Sequence, residues 1–229
     1  MSDGTFRRVS IRDGKFRTAV GGKETLIDSD TIDVVILNAA PRGRMFYGDA
    51  YDAGKKSAPI CWSSTTKMPD PDVPADTKQA TRCMDCPQNI KGSGHGNSRA
   101  CKYSQRLAVT LEDNPEEIYQ LQLPANALFG DAQRGWMSMQ NYAKHLHKHD
   151  TSVITIITRI CFENDGYIPK LRFRPVRVLK PEELEVAVEM SSHPDTERAL
   201  TMVKPDEGNA PTSMFEPVDG FVYDAANNN

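Results

Sequence analysis

Four of the chain's five cysteines, Cys61, Cys83, Cys86 and Cys101, fall in one stretch that lacks a regular pattern of its own. From Arg42 to about Arg82 the sequence is rich in Gly, Pro, Asp, Ser and Thr, with "KMPDPDVPADTKQAT" as its most loop-like part. So long a stretch without periodicity is uncommon inside a compact domain unless something local organises it. Cys83 and Cys86 make a C-x-x-C knuckle followed by Pro87, and "GSGHGNS" supplies further turns before Cys101. Zinc takes four ligands tetrahedrally, and structural sites combine such a knuckle with two ligands brought in by the chain. The spacing therefore predicts Zn2+ held by Cys61, Cys83, Cys86 and Cys101, which closes both ends of the irregular segment, with His95 as an alternative to one cysteine. Four unrelated buried thiols are the plainer reading. A redox C-x-x-C pair should open a helix after a strand, and "CMDCPQNIKGSG" does not read as a helix start. Cys161, alternating with apolar residues in "ITRICFEN", reads as a core cysteine.

The rest of the chain is dominated by period-two and β-branched runs. "FRRVSI" and "GKFRTAV" predict a hairpin, "TIDVVILNAAP" a strand ending at Pro41, and "KYSQRLAVTL" with "EEIYQLQLP" a hairpin across "EDNP". "GDAQRGWMSMQNYAKHLHKH" predicts a helix whose apolar stripe holds Trp136, Met139, Tyr142, Ala143 and Leu146. Two more strands, "TSVITIITRICF" and "PKLRFRPVRVL", flank the turn-like "ENDGYI", and "KPEELEVAVEM" is a short helix with Pro181 near its start. The expected class is a β-rich α+β fold: a small antiparallel barrel, OB-fold-like, with a zinc-bound loop insertion at about 42–102 and peripheral helices. Residues 1–190 would form this domain and residues 191–229 an acidic C-terminal tail. That tail is either mobile or docked through the apolar "MFEPVDGFVY".

Charge divides the chain ten residues earlier, at 180/181. Residues 1–180 carry 26 Lys and Arg against 20 Asp and Glu, whereas residues 181–229 carry 2 against 11. A basic body with an acidic end points to a polyanion-binding domain and a tail that competes for the same cations or recruits replication or transcription proteins. Basic residues interleave with aromatics in "PRGRMFYGDAY", "CKYSQR" and "KLRFRP", the composition of a groove that follows phosphates and stacks bases. The candidate nucleic-acid contacts are Arg42, Arg44, Phe46, Tyr47, Lys102, Tyr103, Arg106, Arg172 and Arg174. Strand alternation would set Arg172 and Arg174 on one face and Phe173 on the other.

Other signals are weaker. "KGSGHGNSR" lacks the G-K-[ST] ending of a phosphate loop, and "HLHKH" reads as a solvated helix end, since residues two apart do not share a helix face. No arrangement for catalysis stands out, so a non-enzymatic role is expected. No run of eighteen apolar residues and no apolar leader occurs, which predicts a cytoplasmic protein with no membrane partner.

"CMDCPQNIKGSG", "ACKYSQRLAVTLED" and "YQLQLPANAL", followed by "WMSMQNY", resemble a group of phage-encoded proteins in which a cysteine-rich knuckle precedes a strand pair and a W-x-x-x-x-x-Y helix. More distantly, the arrangement is similar to phage single-stranded DNA-binding proteins whose OB-fold carries a zinc-bound insertion and whose acidic C-terminus recruits replication proteins. The resemblance implies a single-stranded DNA-binding protein of phage replication or recombination, working in the host cytoplasm. Those relatives end in a dense run of acids, whereas this chain ends in "YDAANNN". A transcription or host-takeover factor that grips a polymerase, and a virion or assembly protein, are the other classes open to the sequence.

Overall fold

The computed structural model describes residues 7–12, 14–48, 58–163 and 170–201. Ten strands form one sheet: β1 (Arg7–Arg12), β2 (Lys15–Val20), β3 (Lys23–Leu26), β4 (Thr31–Ala39), β5 (Gly43–Phe46), β6 (Cys61–Ser63), β7 (Lys102–Leu111), β8 (Asn114–Pro124), β9 (Ile156–Glu163) and β10 (Lys170–Val178). Eight of them run in the order β10-β9-β4-β7-β8-β1-β2-β3, and β5 pairs with both β6 and β7 beside this path. The fold is thus β-rich α+β, as the period-two runs predict. The sheet is mixed rather than purely antiparallel, because β1 pairs with β8 in parallel through Arg8 and Val9 opposite Gln120 and Leu121.

Alternation along the central strands serves two cores at once. Ile32, Val34 and Ile36 of β4, Leu107, Val109 and Leu111 of β7, and Tyr119, Leu121 and Leu123 of β8 fill the larger core. Val35 and Leu37, Ala108, and Ile118 from the same strands point the other way into a smaller one. Both faces being buried, "LAVTL" and "VVIL" read as nearly continuous apolar runs. The sheet also curls. The rings of Phe16 on β2 and Phe162 on β9 lie 4.4 Å apart although β4, β7, β8 and β1 separate their strands in the order.

The helices divide between the two faces. α1 (Ala125–Leu128) and α2 (Met139–Lys148) cover the larger core, with Met139, Tyr142 and Leu146 buried and Tyr142 Oη 2.7 Å from Thr158 Oγ1. The helix expected from Gly130 starts only at Met139. Before it a tight turn pairs Gln133 with Trp136, with Arg134 and Gly135 at φ 50° and 81°. Two successive left-handed residues cannot belong to an α-helix, so Trp136 stands on a loop and Ala143 is exposed.

α3 (Pro181–Ser191) and α4 (Pro194–Leu200) cover the smaller core through Ala187 and Ala199. α4 lies where the acidic tail was expected to begin, so the packed body extends through Leu200. Pro194 at its first position, the His193 side chain accepting from the Asp195 N–H, and Asp195 and Glu197 in its first turn explain why it forms. Six of the eleven acids after residue 180 sit on α3 and α4; the other five, and "MFEPVDGFVY", lie outside the described residues. Among the described residues no helix is long and apolar enough to cross a membrane.

Candidate functional site

The irregular segment is anchored by a three-strand ribbon. Arg44 stands opposite Ser63 of β6 on one side and Tyr103 of β7 on the other, and Phe46 stands opposite Cys61. Directly opposed residues share a face, and residues two apart on a strand share it as well. Cys61 and Ser63, Phe46 and Arg44, and Tyr103 therefore line one side of the ribbon, with Cys101 entering at the start of β7. The strands approach closely: a Cβ on Gly43 would come within 2.7 Å of the Ser63 carbonyl oxygen.

The loop that follows β6 folds over this face and brings in the other two cysteines. All four are buried free thiols, and together with Arg44, Phe46, Ser63 and Gln79 they line one small pocket. Three hydrogen bonds of Asn89 shape the knuckle: its N–H donates to the Cys86 carbonyl at 2.9 Å, its Nδ2 to the Cys83 carbonyl at 2.9 Å, and its Oδ1 accepts from Arg44 Nη1. Cys83 N donates to Lys67 O at 2.9 Å and Cys101 N to Gln88 O at 2.8 Å. A small separate core of Met45, Phe46, Trp62 and Val73 packs with Cys61 and Cys101. His95 is exposed on the loop and does not line the pocket.

The thiols share a pocket without standing at ligating distances: among the described residues no group of three or more His, Cys, Asp and Glu side chains is arranged as a metal site. At Cys101 and Cys61 burial works against the thiolate. Burial pushes Cys101 up to about 11, against the lowering effect of Arg44 and with Cys86 and Cys83 adding to the rise. Cys61 is raised for the same first reason, with a Gln79 backbone hydrogen bond opposing. Four thiolates crowded in one buried pocket repel one another and are stable together only around a cation, which is how a thiolate centre couples metal binding to proton release.

The nine residues predicted to touch nucleic acid separate by burial. Arg44, Arg106 and Arg172 are buried, and their charges are committed inside the protein. Arg106 Nε donates to Leu200 O at 3.0 Å, and desolvation works against its charge. Arg172 pairs with Glu163 at 2.5 Å and donates to the Asn126 carbonyl at 3.2 Å. Arg172, Phe173 and Arg174 pair in unbroken register with Cys161, Ile160 and Arg159, so the expected alternation holds, but Arg172 is buried as Phe173 is because both faces of β10 are covered there. Phe46 is buried in the small core and Tyr47 packs against it, so neither presents a free ring. Arg42 and Lys102 are exposed, and Tyr103 and Arg174 are half-buried.

Arg42, Tyr103 and Arg174 gather around the loop between α1 and α2, whereas Lys102, next to Tyr103 on β7, faces the other way. Arg42 lies over the Phe129 ring at 5.6 Å, and Phe129 meets Tyr103 edge-on at 5.5 Å. At the other end of the loop Arg174 lies over Trp136 at 4.3 Å. Exposed Arg134 occupies the tip of the intervening turn. The loop is fixed between these points by Met137, which exchanges hydrogen bonds of 3.0 and 2.9 Å with Phe173. Sequence reasoning missed Trp136 as a surface ring because the helix pattern absorbed it, and Phe129 because it fell between the predicted strand and helix. Gly130 and Gly135, bracketing "DAQR", were the available signal for a loop.

Set against known proteins, the chain matches no family model, no curated relative and no solved structure.

Proposed function

We propose that the protein binds single-stranded DNA, without catalysing a reaction, on the surface formed by Arg42, Tyr103, Phe129, Arg134, Trp136 and Arg174. The observation that carries this reading is that one loop holds two half-buried rings, Phe129 and Trp136, each under a guanidinium, with Arg134 exposed between them. Rings that offer a face to bases contribute roughly 1–3 kcal/mol per stacked base, and the neighbouring cations neutralise phosphates. In this reading the curled sheet is a small OB-like barrel and the segment between β6 and β7 is its zinc-held insertion, with Cys61, Cys83, Cys86 and Cys101 as ligands. Zinc would supply local folding energy there rather than chemistry. A place in phage replication or recombination follows from the family resemblance.

The test is a fluorescence-anisotropy titration with oligo-dT and a matched duplex at several salt concentrations. With Arg42, Arg134 and Arg174 engaged, log affinity should fall against log salt with a slope of about -2, from roughly -0.7 per phosphate on a single strand. Single strands should bind more tightly than duplex. A flat salt dependence, or equal binding of both forms, would overturn the reading.

A second reading has its own support. Met68, Met84 and Ile90, all on the cysteine segment, are 58%, 76% and 63% exposed. Large apolar side chains left exposed along one segment suit a protein partner, as in a polymerase-binding factor. Its sign would be tight polymerase binding with little affinity for DNA.

A further inference from the structure

Two buried polar groups in the cysteine pocket have no hydrogen-bond partner among the described residues: Arg44 Nε and Ser63 Oγ. Arg44 is 6% exposed and Ser63 1%, and both line the pocket with the four thiols. An unpaired buried donor is costly, and a guanidinium more so than a hydroxyl. A vacancy in hydrogen bonding at two adjacent groups on one wall indicates that the pocket's occupant is an acceptor. A divalent cation on four thiolates is such an occupant: the sulfurs outweigh the ion, leave the centre doubly negative, and accept hydrogen bonds from donors around them.

Arg44 is also placed to do something a simple counter-charge is not. Its Nη1 donates to Asn89, which holds the knuckle carbonyls, and its Nη2 donates to Tyr103 Oη. The guanidinium lies over the Tyr103 ring at 3.9 Å, and Tyr103 touches Phe129, which carries Arg42. One chain of contacts thus runs from Cys101 through Arg44 and Tyr103 to exposed Arg42.

We propose that Arg44, with Ser63, is the outer-sphere donor of a tetrathiolate metal centre and that Arg44 positions Tyr103 and Phe129 for nucleic acid according to whether the metal is bound. The metal half stands on the pocket alone; the coupling half rests on the nucleic-acid reading above.

The experiment compares wild-type protein with Arg44→Gln, Arg44→Lys and Ser63→Ala, each loaded with zinc or cobalt. Removing an outer-sphere partner weakens metal retention by roughly 10–100-fold. Arg44→Gln should therefore pass zinc to a chromogenic chelator faster by that factor, with Arg44→Lys in between and Ser63→Ala affected less. In the cobalt form the thiolate-to-metal charge-transfer band should move to longer wavelength in Arg44→Gln, because a thiolate that loses a hydrogen bond gives up electrons more easily. A structural role alone would leave that band in place. Unchanged zinc release with an unchanged band overturns the metal half, as does wild-type protein that takes up neither ion. If Arg44→Gln fails to fold, the lysine and Ser63→Ala variants carry the same comparison. For the coupling half, wild-type protein stripped of zinc and zinc-loaded Arg44→Gln should both lose affinity for oligo-dT. Stripped wild-type protein that binds as tightly as the loaded form overturns the coupling. Loaded wild-type protein that fails to bind oligo-dT overturns the nucleic-acid reading and the coupling together, and leaves the zinc-release result to decide the metal half.

Discussion

In β7 the side chains from Arg106 to Leu111 are all buried, and they are held by antiparallel neighbours on both sides, β4 and β8. Immediately before that strand, residues 64–101 contain no strand and only one 3-10 turn, and they enclose a core of a few side chains with four thiols at its edge. The first region is stabilised by apolar area and a continuous hydrogen-bond ladder, which need nothing beyond the chain. The second encloses far less apolar surface to offset the entropy of ordering its loops, and in the proposed reading its order depends on a metal cross-link. What separates the two is the source of their stability, and that difference can be tested by removing one source at a time.

The largest effect should come from the sheet. Phe173 is fully buried and stacks near Tyr142 at 6.2 Å. Phe173→Ala should cost about 3–5 kcal/mol, lowering the midpoint of chemical denaturation for every probe together. A loss confined to α2 would mean that the face is less unified than its packing suggests. Cys86→Ser should act differently. Hydrogen-exchange protection should vanish for amides between 64 and 101, including Cys101 N and Asn89 N, while β4, β7 and β9 keep theirs. Loss of protection across the whole sheet would merge the two regions into one cooperative unit.

Gly43→Ala tests the seam between them. Its new Cβ would meet the Ser63 carbonyl at 2.7 Å and force β5 from β6, at a cost of roughly 1–3 kcal/mol. Zinc should then be held less tightly, since Cys61 and Arg44 sit on the strands that part. The smallest effect should come from the acidic end. Deleting residues 202–229 removes five acids and one lysine and leaves α4 in place, so Arg106 and Gln120 keep the Leu200 and Ala199 carbonyls they bond. Affinity for oligo-dT should rise modestly, most at low salt, where the Debye length reaches roughly 30 Å. An unchanged affinity with a lower melting temperature would show that this segment packs on the body instead of competing with the ligand.

How much of this was legible depends on whether a residue's role is set locally. β4, β7, β8, β9 and β10 could be read because β-branched and apolar runs announce strands whatever they pair with. The parallel pairing of β1 with β8 could not, since nothing local in "FRRVSI" points to "IYQLQL". The cysteines declared themselves by spacing, but Ser63 and Asn89 gained their places from cross-strand register and a short turn. Basic residues beside aromatics read the same on a surface and in a core. Arg44 and Arg172 proved buried because Tyr103, Asn89 and Glu163 lie across from them, and that information belongs to the tertiary structure. α4 was the avoidable omission, with His193, Pro194 and two acids spelling out a helix start.

The most direct test of the contrast is the metal content of protein purified under reducing conditions, measured before and after a strong chelator together with hydrogen exchange. The account predicts about one zinc per chain, and on its removal a loss of protection limited to residues 64–101. Protein that contains no metal, yet protects those amides as fully as the strands around β4, would contradict it.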